Sequence, residues 1–274
     1  MEQNIIKISN FEVSNIHQFF LIAGPCSIES KDHAINHAGV INEICKELSI
    51  NFVYKSSFDK ANRSSKLSHR GVGIEKGLNI LSDVKKTFNI PILTDVHESY
   101  QCKEVANVVD IIQIPAFLCR QTDLLTAAAN THKTINIKKG QFLAPWDMEN
   151  VLKKVLDLGN SNVMLTERGT SFGYNTLVTD MRAIPQMTKF GCPIIFDATH
   201  SVQQPGGLGL TSGGQREFVP ILSRAAVSVG ISGLFIEAHE NPEMAPSDGP
   251  NMIKLSDLKK LLTKLIEIDK LIKL

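Results

Sequence analysis

The chain has 274 residues, 43% hydrophobic and 21% charged, and this composition is typical of a globular protein with a substantial core. The formal net charge is +1, so bulk charge predicts neither a nucleic-acid nor a membrane partner. We find no signal peptide and no apolar run of roughly 20 residues, and the five cysteines are scattered, so we expect a cytoplasmic protein without a disulfide framework.

Eight short apolar segments recur along the chain, and their β-branched and aromatic residues predict strands. They lie at residues 19–23, 52–54, 91–93, 111–114, 134–137, 163–165, 193–196 and 233–236. Most segments between them show helical spacing of apolar residues, as at Ile35, Ala38 and Ile41, and the last such segment runs from about residue 255 to the end.

Eight strands that alternate with helices predict a parallel sheet, and near-continuous apolar strands predict that both of its faces are buried. A single (β/α)₈ TIM barrel over residues 1–274 meets both demands. The alternative, an open doubly wound sheet, usually carries GxGxxG after its first strand, whereas this chain has Gly24-Pro25-Cys26-Ser27. Two short apolar segments before the barrel, at 5–8 and 11–13, predict a β-hairpin that caps the barrel bottom.

Polar side chains follow every predicted strand, at the end of a barrel where active sites lie. The cationic ones among them are Lys55, Lys60, Arg63, Lys138 and Arg168, with Arg120 nearby. We expect them to hold two anionic groups, such as phosphates or carboxylates. The alternative is local pairing with acids, Lys60 with Asp59 and Arg168 with Glu167.

A second group of polar residues depends on closure of the barrel, which makes strands seven, eight and one neighbours. Cys26, His200 and Glu237 then converge, and the loop after strand eight brings Asp248. Thiolate, imidazole and carboxylate ligands predict a divalent-metal site, with Zn²⁺, Fe²⁺, Mn²⁺ and Co²⁺ all open. A structural role for each residue is the alternative.

Several longer motifs resemble those of the 3-deoxy-D-manno-octulosonate 8-phosphate synthases over nearly the whole chain. They are IAGPCSIES at 22–30, KSSFDKANRSS at 55–65, IPAFLCRQTD at 114–123, NIKKGQF at 136–142 and FDATHS at 196–201. The resemblance implies a barrel enzyme, typically a homotetramer, that joins phosphoenolpyruvate, D-arabinose 5-phosphate and water for the inner core of lipopolysaccharide.

The resemblance also implies roles for individual residues. Metal-independent members carry asparagine where this chain has Cys26, so the metal-dependent subclass is implied, with Cys26, His200, Glu237 and Asp248 as ligands and with Cys26 and His200 part of the catalytic set. Lys60, Gln113, Lys138 and Arg168 match ligands of phosphoenolpyruvate, with Lys60 or Lys138 as proton donor. Asn62, Arg63, Ser64 and Ser65 match the cradle of the aldose phosphate, Arg120 is expected to reach a phosphate, and Asp95 and Lys55 are expected to line the site.

Three other functions compete with this expectation. A 3-deoxy-D-arabino-heptulosonate 7-phosphate synthase would use erythrose 4-phosphate, but that family typically has a Lys-Pro-Arg-Thr-Ser-like segment where this chain has KANRSS at 60–65. A Schiff-base aldolase would use Lys138 or Lys55 as its amine. A barrel that only binds sugar phosphates is the third alternative.

Overall fold

A computed structural model describes residues 3–62, 69–206 and 213–273, and it contains the predicted closed barrel of eight parallel strands. The strands are β1 (Phe20–Gly24), β2 (Phe52–Lys55), β3 (Ile92–Asp95), β4 (Ile111–Ile114), β5 (Thr134–Lys138), β6 (Val163–Glu167), β7 (Ile194–Asp197) and β8 (Gly233–His239). Their residues are buried throughout, as their apolar composition predicts for a sheet covered on both faces.

The barrel closes between its last strand and its first. β8 pairs with β1 in parallel, with Gly233 opposite Phe20 and Glu237 opposite Gly24, and it also pairs with β7. Strands seven, eight and one are therefore contiguous, as predicted. Their polar C-terminal ends consequently lie side by side.

Eight helices surround the barrel: α1 (Lys31–Glu47), α2 (Ile74–Phe88), α3 (Gln101–Ala106), α4 (Thr122–Ala129), α5 (Met148–Leu156), α6 (Ala183–Thr188), α7 (Val219–Val229) and α8 (Leu255–Ile272). Their apolar sides and the outward-facing strand residues form one continuous core. The start of α1 is fixed by Ser30, whose side chain accepts a hydrogen bond from the His33 backbone N–H over 3.1 Å. Within the described residues, no helix is both long and apolar enough to cross a membrane.

The predicted N-terminal hairpin is present and closes the barrel bottom. Its strands, Ile6–Ile8 and Phe11–Val13, pair in antiparallel register. Ile6, Ile8 and Val13 join a second apolar cluster inside the barrel, together with Phe20 at the start of β1 and residues of the other strands. The hairpin therefore fills the end of the barrel opposite to the polar rim.

Candidate active site at the C-terminal rim

The rim is polar because a charged residue ends most of the strands that form it. Lys55, Asp95, Lys138, Glu167 and Asp197 are the last residues of β2, β3, β5, β6 and β7, and all five are buried. Burial of so many charges is unfavourable unless they are paired or bind a ligand. The contacts of each residue therefore show which charges are already satisfied.

The buried charge of Lys55 is satisfied by hydrogen bonds within the chain. Its ammonium donates to Glu237 Oε1 over 3.1 Å, to the Cys26 carbonyl oxygen over 3.2 Å and to Ser57 Oγ over 3.1 Å. Burial acts to lower the pKa of Lys55, but Glu237 and Asp95 outweigh burial and raise it. A lysine held charged in this way is a poor Schiff-base nucleophile, and it fixes the Glu237 carboxylate in place.

Lys138 and His200 share one carboxylate. Asp197 Oδ2 lies 2.5 Å from Lys138 Nζ and 2.8 Å from His200 Nδ1. Burial alone raises the pKa of Asp197, but His200 and Lys138 outweigh it and hold that pKa far below its usual range. Burial lowers the pKa of Lys138 although Asp197 opposes this shift. Lys138 Nζ also lies 3.9 Å from the centre of the Phe235 ring.

The four predicted metal ligands lie together. One ligand atom from each of Cys26, Glu237 and Asp248 falls within 4.8 Å of the others, with Cys26 Sγ 3.2 Å from Asp248 Oδ2. His200 Nε2 lies 3.7 Å from Glu237 Oε2 and 3.6 Å from Asp248 Oδ2. Because Asp197 binds Nδ1 of His200, the other ring nitrogen faces the two carboxylates.

These residues fit a divalent metal ion. Glu237 Oε2 is buried and has no hydrogen-bond partner among the described residues, although a buried carboxylate oxygen normally needs one. Sulfur, nitrogen and carboxylate oxygen form a donor set that suits a transition metal. The arrangement would supply an ion with ligands that follow β1 and β7, that lie on β8 and that lie in the loop after β8.

Arg168 presents an unused donor to the same rim. Its Nη2 donates to Gln203 Oε1 over 2.9 Å, whereas its buried Nη1 has no partner within the described chain. Gln203 in turn donates to Asp248 Oδ1 over 3.1 Å, so it connects the arginine to a predicted metal ligand. A buried guanidinium with a free N–H is suited to bind an anion.

The alternative that each cationic residue pairs with the acid beside it in the sequence does not hold for Lys60 or Arg168. Asp59 pairs with Arg70 at 2.6 Å, and Lys60 Nζ donates instead to Ser57 Oγ over 2.9 Å. Glu167 Oε1 accepts the backbone N–H groups of residues 168 and 169 at 3.0 and 2.7 Å and lies 3.5 Å from Lys139 Nζ. Glu167 therefore shapes the loop that carries Arg168 and, within the described residues, makes no direct ion pair with its guanidinium.

Asp95 completes the buried network between these charges. Its Oδ1 accepts a hydrogen bond from Ser57 Oγ, and its Oδ2 lies 3.4 Å from His97 Nε2. Burial acts to raise the pKa of Asp95, but Lys55 and Lys60 outweigh it and hold that pKa well below its usual range. Asp95 therefore stays ionised and keeps the two neighbouring ammonium groups in place.

A cavity of about 130 Å³ opens between these side chains. Nine of the predicted site residues line it: Lys55, Lys60, Asn62, Asp95, Gln113, Lys138, Arg168, His200 and Asp248. Cys26 and Glu237 contact the cavity wall through Asp248 and Lys55. The predicted cradle residues Arg63, Ser64 and Ser65 lie outside the described residues.

Arg120 does not line this cavity. Its guanidinium carbon lies 5.3 Å from the centre of the Phe142 ring, and its side chain is exposed. Within one chain it is therefore not among the groups that face the rim cavity.

Sequence reasoning missed several residues that the structure places at the site. Gln141 and Gln203 line the cavity, and Asp197 positions two predicted site residues. For Asp197 a signal was present, since it directly follows the predicted strand at 193–196 and stands three residues before His200. Gln141 and Gln203 are uncharged residues of predicted loops, and their sequence context did not indicate a place at the site.

Comparison with known proteins identifies the family of the chain. The family model of the DAHP synthetase I family matches residues 6–274. A 2-dehydro-3-deoxyphosphooctonate aldolase of Bartonella henselae is 64% identical over 269 residues, which cover 98% of this chain and 96% of the relative. The Brucella ovis protein of the same name is 60% identical over 268 residues, 98% of this chain and 97% of that protein. The chain therefore belongs to the DAHP synthetase I family.

Proposed function

We propose that this chain is a transferase that condenses phosphoenolpyruvate with D-arabinose 5-phosphate and water. The products are 3-deoxy-D-manno-octulosonate 8-phosphate, a precursor of the lipopolysaccharide inner core, and inorganic phosphate. The observation that carries the proposal is the rim cavity, where three cationic residues stand beside the proposed metal ligands. The cationic residues are Lys60, Lys138 and Arg168, and the ligands include Cys26, Glu237 and Asp248. The relatives' shared name refers to an octonate, which favours the five-carbon aldose over erythrose 4-phosphate.

Phosphoenolpyruvate is the anion that we assign to the buried part of the cavity. Arg168 offers its Nη1, which has no hydrogen-bond partner among the described residues, and Lys60 and Lys138 supply two ammonium groups. Gln113 lines the same wall and adds a neutral donor. These cations offset the repulsion between two anionic substrates that must meet face to face.

The aldose phosphate is assigned to the outer part of the cavity. Asn62, which is exposed, lines it there. Arg63, Ser64 and Ser65 follow directly in the chain, and we propose them as the cradle of the phosphate. We also propose that Arg120 serves the site of a neighbouring subunit in a homotetramer, since it stacks on Phe142 and does not line the cavity of its own chain.

The reaction requires C3 of phosphoenolpyruvate to bond to the aldehyde carbon while water adds to C2 and phosphate leaves by C–O cleavage. Lys138 is suited to give a proton to the developing alkoxide, because burial lowers its pKa and makes its proton easier to lose. Lys60, in the same cavity, is the second candidate for this role.

Cys26, His200, Glu237 and Asp248 would hold a divalent metal ion beside the cavity. When bound, such an ion polarises an oxygen of the aldehyde or of water and orients it. The chain's own part is to fix the ligands: Lys55 holds Glu237, Asp197 holds His200 and Gln203 holds Asp248. Fixed ligands of this kind raise metal affinity and set its geometry.

We further propose that residues 1–274 act as one domain in the cytoplasm. Cys45, Cys102, Cys119 and Cys192 are buried free thiols, which suits a reducing compartment. Burial raises the pKa of Cys192 and Cys45 to about 12, so these thiols are unreactive at neutral pH.

The proposal is tested by phosphate release from phosphoenolpyruvate with either arabinose 5-phosphate or erythrose 4-phosphate, before and after dialysis against EDTA. We expect release with arabinose 5-phosphate only, loss of release on chelation and recovery with a divalent ion. Preference for erythrose 4-phosphate would overturn the substrate assignment. Full activity after metal removal would overturn the metal assignment alone, and borohydride trapping of substrate on Lys138 would point to an aldolase.

A further inference from the structure

A histidine cluster lies outside the rim cavity, between α1 and the C-terminal end of β8. We use this name for Glu29, His33, His37, His239 and Glu240. His33 and His37 are four residues apart on α1 and therefore lie on the same side of the helix. His239 ends β8, and Glu29 and Glu240 stand in the adjoining loops.

The three imidazole rings lie close together. The ring centre of His33 lies 5.5 Å from that of His37 and 5.2 Å from that of His239, and the third separation is 6.4 Å. Imidazoles that share a tetrahedral ion through bonds of about 2.0–2.1 Å have ring centres roughly 5 Å apart. One ligand atom from each of Glu29, His33 and His239 already falls within 4.8 Å of the others.

Two carboxylates orient these rings. Glu29 Oε1 lies 2.9 Å from His239 Nε2, and Glu240 Oε1 lies 3.2 Å from His33 Nε2. If Nε2 of His33 donates to Glu240, its Nδ1 keeps a lone pair. That Nδ1 is buried and has no hydrogen-bond partner in the described part of the chain. Carboxylates that fix the tautomer of a ligating histidine are a regular feature of metal sites.

His37 is the least explained member of the cluster. It is 2% exposed, and among the described residues its ring has a backbone contact with Ala238, which acts to raise its pKa, but no side-chain hydrogen-bond partner. Burial and the neighbouring His33 lower its pKa to about 4, so it is neutral and can offer a lone pair at neutral pH. The two carboxylate–imidazole pairs explain His33 and His239 without an ion, but neither carboxylate hydrogen-bonds to His37 in the described part of the chain.

We propose that the histidine cluster binds a second divalent transition-metal ion, with Zn²⁺ as the expected species. Glu29, His33 and His239 supply three ligands, and His37 supplies the fourth after a small side-chain movement. Three nitrogens and one carboxylate oxygen form a closed, structural kind of zinc site with no position left for substrate.

Ion binding at His239 requires a change of tautomer. Its Nδ1 accepts the Asn241 backbone N–H over 2.9 Å, so Nε2 carries the proton that faces Glu29. Binding of an ion at Nε2 would move this proton to Nδ1, and the Asn241 N–H would have to turn away from that atom.

The ion would join the two segments that carry ligands of the first site. α1 follows the loop of Cys26, and His239 stands two residues after Glu237 on β8. A cross-link at this place stabilises the folded chain without touching the cavity. Its loss should therefore affect thermal stability and metal content more than turnover.

The test is the zinc content of protein that has been stripped with chelator, reloaded with Zn²⁺ and freed of excess by gel filtration. We expect two ions per wild-type chain, one in Cys26→Ala, one in His33→Ala and none in the double variant. His132→Asn, which replaces an exposed histidine in a left-handed conformation that asparagine tolerates, is the control and should keep two. One ion in wild type, or two in His33→Ala, would overturn the proposal.

Co²⁺ binding supplies a second readout that remains useful should Cys26→Ala fail to fold. The first site contains a thiolate, and its Co²⁺ complex shows sulfur-to-metal charge-transfer absorption, whereas the histidine cluster contains no sulfur. We expect His33→Ala to lose one equivalent of Co²⁺ and keep the charge-transfer band. Loss of that band in His33→Ala, or an unchanged Co²⁺ stoichiometry, would count against a separate second site. Failure of the enzyme assay leaves these outcomes unaffected.

Discussion

At the scale of a single residue, Asp197 links the proposed proton transfer and the proposed metal binding at the rim. Its Oδ2 lies 2.5 Å from Lys138 Nζ, the proposed proton donor, and 2.8 Å from Nδ1 of His200, a proposed metal ligand. One buried carboxylate therefore sets the charge of an ammonium group and the tautomer of an imidazole. Such outer partners of metal ligands affect metal binding without touching the ion.

We expect Asp197→Asn to weaken metal binding by about 10- to 100-fold, because His200 loses the carboxylate that orients it. Turnover at saturating metal should also fall, since Lys138 loses its counter-charge. The measurements are the metal dissociation constant and kcat. Asp180→Asn is the matched control, because Asp180 pairs at the surface with Arg182 at 2.9 Å. Equal metal affinity in both variants would contradict the assigned role.

We expect Cys26→Ala to lose the metal of the rim site and most activity, because it removes the sulfur ligand. Cys26→Asn should lose the metal but retain part of the activity, as the resemblance to metal-independent synthases implies. Phosphate release with and without chelator measures both variants. A Cys26→Ala enzyme that is metal-free and fully active would refute Cys26 as a ligand.

At the scale of elements, the eight strands were predictable because their apolar composition reflects burial on both faces. Several observed strands extend further than the apolar pattern, since Lys55, Asp95 and Asp197 belong to the strands that they end. Hydrophobicity alone cannot place such residues, because their burial depends on partners elsewhere in the chain. For the same reason the rim residues were predicted but their pairings, such as Lys55 with Glu237, were not.

Small two-residue strands were also missed. Thr170–Ser171 pairs with Leu177–Val178, and Gln203–Gln204 pairs with Gly213–Gly214. Pairs of this length carry no periodic signal, and they form because the surrounding loops bring their backbones together. The second of these pairs contains Gln203, which lines the cavity. The place of this residue could therefore not be predicted from the sequence.

The N-terminal hairpin is expected to contribute stability and not catalysis. Ile6 is fully buried in the barrel bottom, so Ile6→Ala should lower the free energy of unfolding by about 2–5 kcal/mol. Ile5, its neighbour, is 50% exposed, and Ile5→Ala should change that free energy by less than about 0.5 kcal/mol. Denaturant unfolding compares the variants, and KM values should be unchanged. Similar unfolding free energies would show that the hairpin does not cap the core.

At the scale of the whole molecule, charge is distributed unevenly. The net charge is only +1, yet Lys60, Lys138 and Arg168 all face one cavity. With Lys55, four cationic residues line the cavity against two carboxylates, those of Asp95 and Asp248. An excess of one sign of charge in a concave site raises the local concentration of substrates of the opposite sign, so we expect this end of the protein to attract anions.

Salt should accordingly weaken substrate capture. We expect kcat/KM for phosphoenolpyruvate to fall several-fold between about 0.01 M and about 1 M salt, because the Debye length shortens from about 30 Å to about 3 Å. Turnover at saturation should change less, since bound substrate is shielded from the ions. A melting temperature measured at each salt concentration excludes unfolding as the cause. A kcat/KM that does not depend on salt would contradict electrostatic capture.

The pairing of β8 with β1 has a consequence for when the proposed metal ligands can come together. Cys26 is synthesised long before Glu237 and Asp248. Because the proposed ion site spans the seam between the first and last strands of the barrel, a chain in which β8 has not yet been made lacks part of the ligand set. An ion held by all four proposed ligands would therefore mark a chain whose barrel is complete.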